Sequence, residues 1–197
     1  MLAQLGRASG LLLLAGVLLL PLAARADCVS GTVSAETVVS GPFAGLYKYT
    51  TVITWDTPQG LSHATLDCGF DNCPVEVCAL DWLFDTPAGA GTGGNPDECD
   101  FEFDGEFNCD GDASIGVDYP VLKWNVINTE ECEAAGTGTA SLCFYSEIEP
   151  AEGEIPVVLV KNGQNVCEGM LTGNCPLACA VPTRPVNWGT LKRGASD

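Results

Sequence analysis

Histidine occurs once in this chain, at His63, and basic residues are scarce: eight Lys+Arg stand against 26 Asp+Glu, for a formal net charge of −18. A single histidine leaves no His-rich zinc site to build. A surplus of acid on this scale argues against nucleic acid or an anionic membrane as partner and favours cations and basic ligands. The chain has no C-x-x-C pair, no G-x-S-x-G nucleophile elbow and no G-x4-G-K phosphate loop. The sequence signatures of dithiol redox, serine-hydrolase and nucleotide chemistry are therefore missing. Beyond Leu11 to Leu20 there is no long apolar run, and no segment sustains a helical period.

Leu11 to Leu20 itself reads as the core of a signal peptide. Arg7 precedes it, Pro21 ends it, and Ala24-Arg25-Ala26 places small residues where signal peptidase cuts. The run is too short for the roughly 20 residues of a membrane span. Residues 1–26 are thus read as a signal peptide, 27–180 as a single domain and 181–197 as a flexible C-terminal tail. The expected location is secreted, periplasmic or cell-surface, with no stable membrane insertion after cleavage.

All 11 cysteines fall after residue 26. An exported chain enters an oxidising compartment, and spacings such as C-x4-C without histidines do not suit zinc, so the cysteines read as disulfides with one thiol left over. Spacing does not reveal the connectivity.

The segments between turn signals alternate with the period of a β-strand. In 47–55, YKYTTVITW, Tyr47, Tyr49, Thr51, Ile53 and Trp55 share one side. Gly31 to Ser40, Leu61 to Leu66, Ile115 to Ile127 (broken at Pro120) and Thr137 to Ile148 read as further strands. Asn162-Gly163 between apolar runs is a hairpin signal. His63 is read as a strand surface or edge residue. The stretch Thr86 to Asn95, TPAGAGTGGN, reads as a mobile surface loop because of its glycines. The fold expected is all-β: a disulfide-braced β-sandwich of short antiparallel strands.

The most site-like stretch is Asp100 to Asp112, DFEFDGEFNCDGD. Acidic and amide side chains occupy every second position, with Phe101, Phe103, Phe107 and Cys109 between them, so one face is apolar and the other is a ladder of oxygen ligands. A hairpin with a three-residue loop, Asp104 to Glu106, and a single long strand with an in-line glycine bulge both keep the faces clean. Carboxylates facing one another would demand full solvation or a cation.

The segments LYKYTTVITWDTPQGLSH, GEFNCDGD, CFYS and VPTRPVNWGTLK together resemble a group of uncharacterised exported bacterial Cys-rich β proteins that end in a TWG-x-[LIV]-K segment. That resemblance implies a secreted or cell-envelope protein and carries no activity. Here Arg193 to Asp197 replaces the aromatic and basic finish of that group. Residues 108–118 also resemble the calcium loops of EF-hands and dockerins, which implies a calcium site at Asn108, Asp110, Asp112 and Asp118. Ala113 and Tyr119 stand where such a loop has its glycine and its closing carboxylate.

The function expected is a non-catalytic binding or structural module with an acidic face that is either solvated or calcium-binding, its partner a cell-surface component or a glycan. The alternative is a carbohydrate-binding module or carbohydrate-acting hydrolase using paired carboxylates and exposed Trp55, Trp82 and Trp124. The tail, with Arg184, Lys192, Arg193 and Trp188, reads either as a frayed terminus or as a segment that docks on the protein's own acidic face or another cell-surface component.

Overall fold

A computed structural model of the chain describes residues 28–94, 99–127, 136–151, 155–176 and 179. Residues 1–26, read as a signal peptide, and residues 181–197, read as a tail, lie outside the described residues. Nine strands are described: β1 (Val29–Thr37), β2 (Tyr47–Thr57), β3 (Leu61–Asp67), β4 (Gly89–Gly93), β5 (Cys99–Asn108), β6 (Val121–Ile127), β7 (Gly136–Ser146), β8 (Val157–Asn162) and β9 (Asn165–Gly173). A 3-10 turn at Phe70–Asn72 and the short helix α1, Pro74–Cys78, follow β3.

The strands close into a barrel in the order β1-β2-β7-β4-β5-β6-β3-β8-β9. This corrects the sandwich expected from the alternation. A strand with one apolar face looks the same in a sandwich and in a barrel, and the difference lies only in whether the two outermost strands meet. Here they do. β1 and β9 pair in parallel through Gly31, Thr32 and Val33 against Leu171, Thr172 and Gly173, which satisfies the backbone groups that two sandwich edges would expose.

Closure demands close approach of the two backbones at that seam. A Cβ on Gly169 would collide with the carbonyl oxygen of Val29, and one on Gly173 with that of Val33. The Cys28–Cys167 disulfide spans the same seam. Cys68–Cys175, Cys73–Cys179 and Cys78–Cys109 tie the segment after β3 to the chain beyond β9 and beyond β5. Cys99 is also disulfide-bonded, whereas Cys143 on β7 is a free thiol. Alkylation of the denatured, unreduced protein should accordingly label a single thiol, and peptide mapping should place it at Cys143; label on Cys28 or Cys109 would contradict this pairing.

The interior is packed with rings. Tyr49 stacks on Phe144 with centroids 4.7 Å apart, Trp55 tilts against Phe101 at 5.8 Å, and Phe101 meets Phe103 edge-on at 5.5 Å. Trp55 and Trp124 belong to this core, and Trp82 is stacked on Phe107. The three tryptophans expected as exposed platforms are thus used for packing. On β1 and β5 the outward positions are polar, including Ser30, Thr32, Ser34, Asp100, Glu102 and Asp104, the reverse of a lipid-facing barrel. No helix among the described residues is long and apolar enough to cross a membrane.

The glycine-rich stretch expected as a loop is in large part strand β4, paired with both β5 and β7. Its glycines alternate, so Gly89, Gly91 and Gly93 share the inward face. A Cβ on Gly91 would press on the Phe101 ring at 3.0 Å, and one on Gly93 would approach Trp55 at 3.4 Å. Large rings donated by other strands occupy the volume that side chains of β4 would otherwise need. Glycine, unfavourable in a strand on local grounds, is what this central strand requires.

Candidate functional site

β5 is one unbroken strand, so the hairpin drops out, and the single strand runs through Gly105 without the bulge expected there. Its register with β6 runs continuously from Glu102↔Ile127 to Asn108↔Val121. Phe101 and Phe103 are buried, and Asp100, Glu102, Asp104 and Glu106 are exposed. Among the described residues none of the four carboxylates faces another acid across the sheet. Asp100 lies beside Thr92, Glu102 beside Ala90 and Ile127, Asp104 beside Asn125, and Glu106 beside Lys123. Glu106 accepts a hydrogen bond from Asn125 Nδ2 at 3.1 Å and lies 3.8 Å from Lys123 Nζ. Solvent on the open side and neutral or basic lateral neighbours are enough to tolerate the ladder.

At its far end the ladder turns inward. Gly111, with φ +78°, lets the chain after Asn108 fold back. Asp112 and Val117 then exchange backbone hydrogen bonds of 2.9 and 3.1 Å, closing a small loop against the outside of β3 and β6. Cys78–Cys109 fixes the start of this loop. Tyr119 near its end donates to Asp67 Oδ2 at 2.7 Å, and burial together with that hydrogen bond raises the Tyr119 pKa.

Under this loop sits the densest polar cluster of the described residues. Asp112 is only 4% exposed. Its Oδ1 accepts the Ser114 backbone N–H at 3.0 Å and the Ser114 hydroxyl at 2.6 Å. Its Oδ2 faces His63 Nε2 at 3.0 Å and Lys123 Nζ at 3.2 Å, with the Thr65 hydroxyl at 3.4 Å. Lys161 Nζ caps the loop from β8 by donating to the Ser114 carbonyl at 3.1 Å. The expected surface or edge position of His63 is corrected: β3 runs between β6 and β8, and the loop covers its outward face.

The four residues read as calcium ligands are therefore placed unequally. Asp112 is buried and engaged by protein donors, Asp110 and Asp118 are exposed, and Asn108 ends β5 half-buried. No group of three or more His, Cys, Asp and Glu with metal-binding geometry occurs among the described residues. Thr65, Ser114 and Lys123 are not legible from sequence as partners of Asp112, nor is Lys161 as the partner of the Ser114 carbonyl. Only Ser114 is near it along the chain, and an Asp-x-Ser turn is too common a signal to single out.

Burial holds the His63 imidazole at about 4, against the usual 6.5. The Asp112 charge pulls the other way, and the Lys123 and Lys161 charges add to the lowering. Burial alone would raise Asp112, but hydrogen bonds from Ser114 and Lys123 and the neighbouring positive charge outweigh it and leave the carboxyl below its ordinary value. At neutral pH the cluster is an ion pair, Asp112 with Lys123, plus a neutral histidine. With Asp112 ionised 3.0 Å away, the His63 proton resides on Nε2 and is donated to the carboxylate. The same Nε2 is the ring nitrogen nearest the Ser114 hydroxyl, at 3.5 Å. It has no lone pair to accept the serine proton, so the trio lacks the geometry of a Ser-His-Asp relay.

Between about 4 and 6.5 the unfolded chain protonates His63 and the folded chain does not, so stability is full above 6.5 and falls as pH drops towards 4. Urea midpoints measured from pH 7.5 to 4 should show this loss, and His63→Gln should flatten it. An unchanged slope in that variant would assign the acid sensitivity elsewhere.

A groove of about 770 Å³ runs over the outside of the barrel at the opposite end of β5. Asp100 and Glu102 form one side, Val52 and Ile127 supply exposed apolar surface, and Thr92 and Ser141 supply hydroxyls. No protein family, curated protein or solved structure matches this chain.

Proposed function

We propose that the protein is a non-catalytic binding module that works outside the reducing cytoplasm and receives basic or cationic partners on its acidic outer face. The observation that carries this reading is the exposed carboxylate row of β5 running into the groove, on a chain with a net charge of −18. Four disulfides point to an oxidising compartment, which supports a secreted, periplasmic or cell-surface site of action. Calcium is the simplest cation for such a face, and a cationic peptide is the macromolecular equivalent.

The test is titration of a fluorescent lysine-rich peptide, and separately of calcium, into the full chain. Peptide binding should weaken steeply with salt and by about tenfold in Glu102→Lys, as expected where charge complementarity governs association. Binding unaffected by either change would remove the proposal.

A glycan reading keeps one foothold, because Asp100 and Glu102 project from the same face about 7 Å apart along the strand within the groove. Depolymerisation of a polysaccharide, abolished by Glu102→Gln, would establish it in place of the binding module.

A further inference from the structure

We propose that the groove is the seat of the chain's own C-terminal segment, residues 180–197, which occupies it until a competing basic ligand takes its place. This inference rests on the acidic-face reading above.

The closed barrel dictates the manner of binding. With β1 paired to β9, no edge is left open among the described strands, so a peptide cannot extend the sheet and must be held by side chains on the outer face. The groove asks for a ligand both apolar and basic. Val52 and Ile127 are 41% and 43% exposed, and Asp100 and Glu102 stand beside them with no Lys or Arg among the lining residues.

Within the C-terminal segment, residues 181–197, VPTRPVNWGTLKRGASD, have that chemistry, with Val186, Trp188 and Leu191 interspersed with Arg184, Lys192 and Arg193. Elsewhere after residue 26 the basic residues are only Lys48, Lys123 and Lys161. The last two are committed to Asp112 and to the Ser114 carbonyl.

Reach is sufficient. The segment departs just after Cys179, which is anchored by its disulfide to Cys73. Eighteen residues span up to about 60 Å when extended. The longest strands, of 11 residues, are about 37 Å long. Tethering also decides the balance of energies: exposed ion pairs are individually weak, but covalent attachment raises the local concentration of the segment to the order of millimolar. Contacts that hold a free peptide only weakly then suffice to keep the tethered segment seated.

The experiment uses the full chain. Acrylamide quenching of Trp188, taken as the difference between the protein and its Trp188→Phe variant, should be several-fold lower than for a free peptide of residues 181–197. Glu102→Lys should raise it to the peptide value. The same peptide, labelled, should bind an Arg184→Glu/Lys192→Glu/Arg193→Glu variant about tenfold or more tightly than the unaltered chain, whose groove is already filled. Circular dichroism of each variant should show the native β spectrum, all the changes lying on the surface or in the tail.

Trp188 quenched as freely as in the peptide, or equal peptide binding to both chains, would overturn the proposal. So would Trp188 protection that appears only with a concentration-dependent dimer, which would give the groove to a second copy's tail. If a lysine-rich peptide still binds in a Glu102-dependent way while Trp188 is free, only this inference falls. If neither peptide binds, the acidic-face reading falls with it.

Discussion

Replacing Asp112 by alanine is expected to cost about 3–5 kcal/mol of stability, the usual penalty for removing one partner of a buried pair and stranding the other. The carboxylate is 3% exposed at the side chain and Lys123 is 15% exposed, so water cannot readily take over the lost contacts. Loss of the carboxylate also leaves the Ser114 N–H, His63 Nε2 and the Thr65 hydroxyl without their acceptor. The loop 109–119 should loosen first, because apart from Tyr119–Asp67 and the contacts of Ser114 with Lys161 and His63 its side-chain contacts to the sheet converge on this residue. Urea unfolding would measure the loss, and hydrogen exchange would show where protection disappears. The companion test is Asp112→Ala with Lys123→Met, which removes the stranded charge and should recover roughly half of the loss. A double variant no more stable than the single one would mean that the hydrogen bonds to Ser114, and not the ion pair, hold the loop.

Gly169→Val is expected to cost more than about 4 kcal/mol, or to prevent folding altogether. A Cβ at this position falls on the carbonyl oxygen of Val29, a backbone atom that cannot rotate away. Relief would require β9 to move off β1, and only three residue pairs join those strands. The natural comparison is Gly116→Ala. Gly116 has φ +78°, but a Cβ there would meet nothing within 4 Å, so that change should cost only the roughly 1–2 kcal/mol of a left-handed backbone conformation. Thermal or urea unfolding of the two variants would separate the terms. Equal and small effects would show that the seam is not what closes the barrel.

Much of the molecule is legible in local sequence. The two faces of β5 follow from strict alternation: phenylalanines every second residue bury together, and the acids between them are exposed. β2, β7 and the β8–β9 hairpin follow from the same alternation and from Asn162-Gly163. The oxidised character of the chain follows from its cysteine count and from spacings unsuited to zinc.

The departures from local reading share a cause. β4 looks like a loop because glycine's strand preference is set by local entropy, whereas here the rings of Trp55 and Phe101 supply the missing volume from other strands. The role of Asp112 is hidden because a carboxylate on a tight glycine turn suits a metal loop and a buried salt bridge equally well. His63 and Lys123, 49 and 11 residues away, decide how that carboxylate is engaged here.

Composition and period alone thus determined an acidic, disulfide-bonded β protein with an acid-bearing face on the strand Cys99–Asn108, because side-chain alternation and thiol number are properties of neighbouring residues. Barrel closure, the Cys28–Cys167 and three further pairings, the free Cys143 and the burial of His63 against Asp112 were decided only by the tertiary structure. Each depends on which distant segments meet, and a run of alternating residues is equally compatible with many such meetings until excluded volume and backbone hydrogen bonding select one.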